Sequence, residues 1–141
     1  MCFGERTGSE SDSDSMIIGT GIDICDVPRM ADSIARWGER FLRRVFTENE
    51  IRYCQSKKNA AERFAARFAA KEAAMKALGT GVSLGVVWTN IEVGHAPGGR
   101  PVLRLTGKTA EVAHKLGVNR ISLSLTHTET AAMAVVIFEG A

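Results

Sequence analysis

Residues 67–76 read Arg-Phe-Ala-Ala-Lys-Glu-Ala-Ala-Met-Lys and lie near the end of an alanine-rich run. Alanine has the highest helix propensity, and Gly79 is a typical helix terminator, so the run predicts one long helix over residues 59–78. Glu72 and Lys76 are one turn apart on this helix and continue a row that begins with two phenylalanines. Because that row passes from apolar to charged side chains, we expect a polar site at the rim of the core.

The segments on both sides of this helix predict an α+β fold in which helices cover an antiparallel sheet. Before it, Asp26 and Thr47 are typical N-caps, the second within a capping box, and Gly38 is a typical helix end. After it, extended segments flank turn-rich stretches and pair as hairpins. The predicted elements are strand 16–24, helices 26–38, 47–55 and 59–78, strands 86–93 and 101–105, helix 106–116, and strands 120–127 and 131–138.

Length and composition predict one domain over residues 16–141, since 141 residues with 45% hydrophobic content suffice for one ordinary core. Residues 1–15 are polar and acidic and are expected to be a disordered extension without the features of a targeting signal, and Met16 is an equally good start. No apolar run approaches the roughly 20 residues that a membrane-spanning helix needs. The three cysteines fit neither a disulfide framework nor a zinc site, which indicates a reducing compartment, the cytoplasm.

The chemistry-bearing residues are two carboxylates and a lysine. Asp23 follows a glycine-punctuated apolar segment, and Glu72 and Lys76 lie on the long helix. Mg²⁺ is usually held by one or two protein carboxylates, with phosphate oxygens and waters as further ligands, and lysine supplies a point charge to phosphate. Each residue also has a structural interpretation: Glu72 and Lys76 suit a surface ion pair, and Asp23 suits a strand end.

The order of these motifs resembles the 4'-phosphopantetheinyl transferases, and among them the short bacterial-type class of holo-acyl-carrier-protein synthases. The resemblance rests on Gly-Ile-Asp-Ile at 21–24, on Arg-Phe-Ala-Ala-Lys-Glu-Ala at 67–73 with the following Lys-Ala-Leu-Gly-Thr-Gly at 76–81, and on Ser-Leu-Thr-His-Thr at 124–128. It extends from Met16 to about Phe138. It implies the same α+β fold.

The resemblance implies transfer of the 4'-phosphopantetheine group of coenzyme A to a serine of apo acyl carrier protein, with release of adenosine 3',5'-bisphosphate. Asp23 and Glu72 would hold Mg²⁺, and Glu72, or a water that the metal activates, would take the serine proton. Lys76 would neutralise or protonate the departing phosphate. Arg67, His127 and Thr128 would bind the nucleotide portion. The sequence leaves open which carrier protein, and which pathway, fatty acid synthesis included, the reaction serves.

His127 and the glycines after the long helix have two interpretations each. His127 continues the alternation of a strand and points to its buried or interface side, where a structural histidine is as expected as a ligand. Gly79 and Gly81 either end the helix or offer backbone N–H groups to the nucleotide of coenzyme A. The resemblance also implies a homotrimer with His127 opposite Glu72 of a neighbouring subunit, whereas the sequence alone is equally compatible with a monomer.

The helical region is basic, with ten Lys or Arg and five Asp or Glu residues over positions 29–67, a local charge of +5. Such a face is either an ordinary solvated surface or an attractive surface for an acidic partner. The resemblance implies that this partner is acyl carrier protein, a small acidic domain. The candidate contacts are Arg29, Arg40, Arg43 and Arg44.

Two functions of other classes compete with this interpretation. A basic nucleic-acid-binding module would use the same region, but aromatic residues make up only 6% of the chain and no stacking motif is present in the sequence. A Mg²⁺-dependent enzyme acting on another nucleotide diphosphate would use the same Asp–Glu–Lys set. We therefore expect a transferase that binds no nucleic acid.

Overall fold

The computed structural model describes residues 15–140. The predicted extension over 1–15 lies outside the described residues except for Ser15, so the division of the chain at Met16 stays a prediction. The elements follow one another in the order β1 (Met16–Asp26), α1 (Val27–Val45), α2 (Glu48–Gln55), α3 (Ala60–Leu78), a short 3-10 helix (Trp88–Asn90), β2 (Ile91–His95), β3 (Pro101–Leu105), α4 (Gly107–Lys115), β4 (Val118–His127) and β5 (Ala131–Gly140).

The strands form two antiparallel sheets. One has three strands in the order β1-β5-β4, and the other is the β2–β3 hairpin. Antiparallel strands joined by short turns, with the helices grouped between them, give the predicted α+β fold, which is confirmed.

Helix α3 is the central element of the core. Its alanines at 69, 70, 73 and 74 are fully buried and pack against Ala134, Val136 and Phe138 of β5. Small side chains on the helix bring its backbone close to the sheet, and burial of the facing apolar side chains stabilises the contact. The alanine content that predicted the helix therefore also determines how closely it packs.

Two glycines of β1 permit an even closer approach to α3. A Cβ atom built on Gly21 would overlap the carbonyl oxygen of Ala73, and one built on Gly19 would overlap the carbonyl oxygen of Ala77, one turn further along. Only glycine leaves room for backbone to lie against backbone in this way. The contact determines where Asp23, two residues after Gly21, meets the helix.

The opposite face of the three-stranded sheet carries exposed apolar side chains on β1 and β5. Ile22, Ile24 and Met133 are 55%, 58% and 36% exposed, and they are neighbours because Ile24 pairs with Met133 across β1 and β5. Contiguous apolar surface of this kind is unusual on a solitary domain and is typical of an interaction surface.

The predicted helix ends agree with the structure. The Asp26 carboxylate accepts the N–H of Arg29 at 3.0 Å, Thr47 and Glu50 form the capping box, and Gly79 ends α3 in the left-handed conformation. Gly38 has positive φ and breaks the helical geometry as predicted, and a second helical segment then continues to Val45. At these boundaries, nearby residues form hydrogen bonds with the terminal N–H groups and carbonyls of the helices, and this is why the sequence predicts them.

The predicted strand over residues 86–93 is wrong in its first half, because the strand begins only at Ile91. Val86 closes a turn by donating its N–H to the Ser83 carbonyl at 3.0 Å, and Trp88–Asn90 form the 3-10 helix. Val86 is buried in the core and the Trp88 carbonyl accepts a hydrogen bond from Lys71 on α3. These tertiary contacts override the β propensity of the segment.

Two further observations concern the cysteines and the hydrophobicity of the helices. Cys25 and Cys54 are free thiols. Between residues 15 and 140, none of the helices combines the length and the apolar character that crossing a membrane requires.

We predict that Gly21→Ala lowers the free energy of unfolding by about 2 kcal/mol or more, because the added methyl group forces β1 away from α3. Chemical denaturation of both proteins measures the loss. Thr20→Ala, at the exposed neighbouring position, is the control and should change stability little. Equal stability of Gly21→Ala and the wild type would contradict the close approach.

Candidate active site

Helix α3 carries the predicted row of side chains from the core to the surface. Phe64 is buried, Phe68 stacks on Trp88 with ring centroids 5.1 Å apart, Glu72 is half-buried, and Lys76 is exposed. One face of a single helix thus presents a carboxylate and an ammonium group at the edge of an apolar surface, as the i, i+4 spacing predicts.

Strand β1 brings Asp23 to this edge. Lys76 Nζ lies 3.6 Å from Asp23 Oδ2 and donates a hydrogen bond of 3.1 Å to the Ile22 carbonyl. The other carboxylate oxygen of Asp23 accepts the N–H of Ile24 at 2.8 Å. Within residues 15–140, the carboxylate partner of Lys76 is Asp23, so the alternative of a Glu72–Lys76 surface pair is not what the structure shows.

Glu72 and Asp23 repel each other. Partial burial raises the pKa of Glu72 above its ordinary value, the nearby Asp23 carboxylate raises it further, and Lys76 acts in the opposite direction. Two ionised carboxylates that face one another without a hydrogen bond between them are stabilised by a cation. The electrostatics of the pair therefore favour a positively charged ligand.

The donor set fits Mg²⁺. This ion is commonly held by one or two carboxylates, while waters and substrate phosphates complete its coordination. Asp23 and Glu72 line the same cleft, and no group of three or more His, Cys, Asp or Glu side chains that could hold a metal ion is present among residues 15–140, here or elsewhere. A two-carboxylate site open to solvent suits a metal that also binds substrate oxygens.

We call the cleft beside these residues the acidic cleft. Its volume is about 380 Å³, and its polar wall is formed by Asp23, Asp26, Arg29, Ser33 and Glu72. The apolar wall is formed by Ile24, Cys25, Met30, Phe41 and Phe68. Charged and apolar surfaces meet here, as in most ligand clefts.

Cys25 is a packing residue in this cleft. Burial raises the pKa of its thiol to about 11, and the carboxylates of Glu72, Asp26 and Asp23 contribute in the same direction. Since the thiolate is the nucleophilic form, such a thiol is unreactive near neutral pH. This agrees with the interpretation of Cys25 as a small hydrophobe.

A second cleft, which we call the basic cleft, has a volume of about 210 Å³. Its lining residues are Tyr53, Arg63, Ala66, Arg67, His95, Gly99, Pro101, Leu125 and His127. Of the residues that the structure describes, none lines both clefts. The structure thus brings Arg67 and His127 together but places them apart from Asp23 and Glu72.

Arg67 is only 3% exposed, and its guanidinium group lies over the Tyr53 ring at 4.5 Å. It donates to the Arg63 carbonyl at 3.3 Å and is 3.4 Å from His95 Nε2. Its Nε is buried with no hydrogen-bond partner in the described part of the chain. A buried guanidinium N–H without an acceptor is costly, so Arg67 keeps an unmet hydrogen-bond donor next to the basic cleft.

His127 has the half-buried position that the alternation of β4 predicts. Its Nδ1 is 2.9 Å from Glu62 Oε1, a side chain of α3, so the imidazole is held against the helix by a defined partner. That bond leaves the other ring nitrogen available on the side of the basic cleft. The structural and ligand-binding interpretations of His127 are therefore compatible.

The other predicted nucleotide contacts lie outside both clefts. The N–H of Gly79 donates to the Met75 carbonyl at 3.0 Å, as expected of a helix end, and Gly81 has positive φ in the following loop. The Thr128 hydroxyl accepts the N–H groups of Thr130 and Ala131, so it stabilises the β4–β5 turn. Within one chain, these three residues therefore form a helix end, a loop and a turn.

The four candidate partner-binding arginines differ in their surroundings. Arg29 lines the acidic cleft, and Arg40 and Arg44 are exposed on α1. Arg43 pairs with Glu39 at 3.0 Å and Glu48 at 2.7 Å, and the hydrogen bond to Glu48 is the main reason that its pKa is raised. Its charge is therefore already matched by the chain's own carboxylates.

Sequence reasoning missed three residues of these surfaces. The rings of Tyr53 and His95 contact each other at a tilt, with centroids 4.6 Å apart, and both belong to the basic cleft, but they are on different elements and no local pattern connects them. Trp37 is 57% exposed beside the break at Gly38. A tryptophan in an arginine-rich helix is a signal that the sequence offers, because tryptophan and arginine are enriched at interface hot spots.

The chain is similar to known proteins over most of its length. The holo-[acyl-carrier-protein] synthase of Koribacter versatilis is 64% identical over 124 residues, which cover 88% of this chain and 99% of that protein. The holo-[acyl-carrier-protein] synthase of Solibacter usitatus is 52% identical over 124 residues, with the same coverage.

A crystal structure of a holo-(acyl-carrier-protein) synthase from Bacillus anthracis in complex with CoA (3',5'-ADP) matches with a TM-score of 0.74 and 34% identity, covering 89% of this chain and 99% of that one. The model of the 4'-phosphopantetheinyl transferase superfamily matches residues 19–136, a range that contains both clefts. This chain belongs to the 4'-phosphopantetheinyl transferase superfamily.

Proposed function

We propose that this chain transfers the 4'-phosphopantetheine group from coenzyme A to a serine hydroxyl of apo acyl carrier protein, giving the holo protein and adenosine 3',5'-bisphosphate. The observation that carries the proposal is the meeting of Asp23, Glu72 and Lys76 at one edge of the acidic cleft. The relatives that cover nearly the whole chain are named for this activity.

Asp23 and Glu72 would hold Mg²⁺, which when bound offsets the charge of the pyrophosphate and of the departing phosphate. Glu72, or a water that it orients, would then accept the serine proton. The serine oxygen bonds to the phosphorus that carries the pantetheine arm, and the bond from that phosphorus to the bisphosphate oxygen breaks. Lys76 would neutralise the charge on that oxygen or protonate it.

The basic cleft would bind the nucleotide portion of coenzyme A through Arg67 and His127. The unpartnered Nε of Arg67 and the surrounding positive charge suit phosphate. In this proposal Gly79, Gly81 and Thr128 contribute backbone and hydroxyl groups only at the edge of the bound nucleotide.

Because no residue lines both clefts, we infer that one substrate molecule reaches both by lying between subunits. The exposed apolar face around Ile22, Ile24 and Met133 supports a second copy of the chain as its occupant. A homotrimer would then bring the basic cleft of one subunit, with His127, towards Glu72 of the next.

The carrier protein would approach over α1, where positive charge steers an acidic domain towards the acidic cleft. Arg29, Arg40 and Arg44 are the better candidate contacts, because Arg43 is engaged by Glu39 and Glu48. Exposed Trp37 lies on the same helix and adds an apolar contact. A reducing cytoplasmic setting stays a prediction, supported by the free thiols of Cys25 and Cys54.

We predict that purified apo acyl carrier protein gains one phosphopantetheine arm when incubated with this protein, coenzyme A and Mg²⁺. Intact-mass measurement detects the product. EDTA and Glu72→Ala should each abolish it, because EDTA removes the metal and the substitution removes one of its proposed ligands. Consumption of coenzyme A without modification of several carrier proteins would contradict the proposal and favour an enzyme acting on nucleotide diphosphates.

We predict that Glu72→Gln raises the melting temperature of the metal-free protein at neutral pH, because it removes an ionised group that burial and Asp23 destabilise. A raised folded-state pKa destabilises the fold above that pKa, so the advantage should fade as the pH falls through it. Thermal unfolding in EDTA measures the effect. Mg²⁺ should then stabilise the wild type and not the variant, and equal stabilisation of both would contradict the metal assignment.

A further inference from the structure

A fully buried ion pair joins Lys71 of α3 to Glu50 of α2. Lys71 Nζ is 2.7 Å from Glu50 Oε1, and neither side chain has measurable exposure to solvent. Burial lowers the pKa of Lys71, while the contacts with Glu50 act against that shift. Charged side chains are almost never buried to this extent unless they are paired.

Every polar atom of the pair has a partner. Besides Glu50, Lys71 donates hydrogen bonds to the carbonyls of Trp88 and Ile91. The Glu50 carboxylate accepts the N–H of Thr47 at its Oε1 and the N–H of Val93 at its Oε2, each at 2.9 Å. The pair therefore connects three elements, α3, the start of α2 and strand β2.

Stability alone does not explain this arrangement. Apolar side chains of similar volume often replace a buried ion pair with equal or better stability, because the charges must be desolvated. Contacts between apolar side chains are not directional, whereas the hydrogen bonds of Glu50 and Lys71 set the register of β2 and α2 against α3.

The three elements carry several of the residues that line the basic cleft. Arg67 lies one turn before Lys71 on α3, Tyr53 lies three residues after Glu50 on α2, and His95 lies two residues after Val93 on β2. Residues at these spacings share a helix or strand face. The same three side chains contact one another, with Arg67 over Tyr53 at 4.5 Å and His95 against both.

We propose that Glu50 and Lys71 are positioning residues, which hold Tyr53, Arg67 and His95 in the arrangement that binds the phosphate-bearing nucleotide of the substrate. This inference rests on the proposed function, since it takes the ligand of the basic cleft to be the nucleotide of coenzyme A. The acidic cleft has no residue in the network, so the pair acts on substrate binding and not on the chemical step.

The test compares Glu50→Gln, Lys71→Met and the double variant with the wild type and with Val136→Ala, a buried sheet residue outside the network. We expect the KM for coenzyme A and the Kd for adenosine 3',5'-bisphosphate to rise about tenfold in the network variants, the loss of roughly one charge-assisted hydrogen bond. The kcat should stay within about twofold of the wild type, because transition-state contacts are kept. Val136→Ala should change neither constant.

The double variant keeps the inference testable if the single variants fold poorly, because it leaves no unpaired buried charge. If its stability returns while its KM and Kd stay raised, the pair positions the cleft. Wild-type KM and Kd in the double variant, or an equal rise in Val136→Ala, would overturn the inference. Calorimetric binding of the bisphosphate separates the two proposals: a wild type that binds it but transfers nothing defeats the proposed function, and a wild type that neither binds nor transfers defeats both.

Discussion

The contact between β1 and α3 is the constraint on which the other features depend, because Gly19 and Gly21 allow the strand backbone to lie against helix carbonyls. Asp23 leaves this contact next to Glu72 and Lys76, which lie on the same helix that the glycines touch. The geometry of the acidic cleft thus depends on Gly19 and Gly21, which have no side chain to separate β1 from α3. The close contact also explains why alanine is so frequent on the facing side of α3, since larger residues would separate the helix from the sheet.

The two neighbouring carboxylates of the acidic cleft lower the stability of the fold, and the proposed reaction requires both of them. Partial burial raises the pKa of Glu72 and repulsion from the Asp23 carboxylate raises it further, so binding of a cation would stabilise the ionised pair. Lys71, the immediate neighbour of Glu72, has the opposite character, because its charge is fully paired and buried. One turn of α3 therefore carries a residue whose charge is satisfied by the fold and a residue whose charge is left for a ligand.

Sequence alone predicts the elements whose signals are local. The caps at Asp26, Thr47 and Gly79 and the long alanine-rich helix needed only neighbouring residues. The error over residues 86–93 has a tertiary cause, since the segment is shaped by bonds to Lys71 and by burial of Val86. The partners Tyr53, Arg67 and His95 come from three elements, and the burial of Lys71 contradicts the ordinary expectation for a lysine. No local pattern reports contacts of that range.

The two clefts and the exposed sheet face are explained together if each active site combines the acidic cleft of one subunit with the basic cleft of another. Co-expression of Glu72→Ala with Arg67→Ala chains tests it most directly, using the intact mass of the carrier protein at sub-saturating coenzyme A. Random mixing in a trimer restores about a quarter of the sites, because some sites combine an intact acidic cleft with an intact basic cleft. Activity no greater than that of the two variants assayed separately would contradict the account.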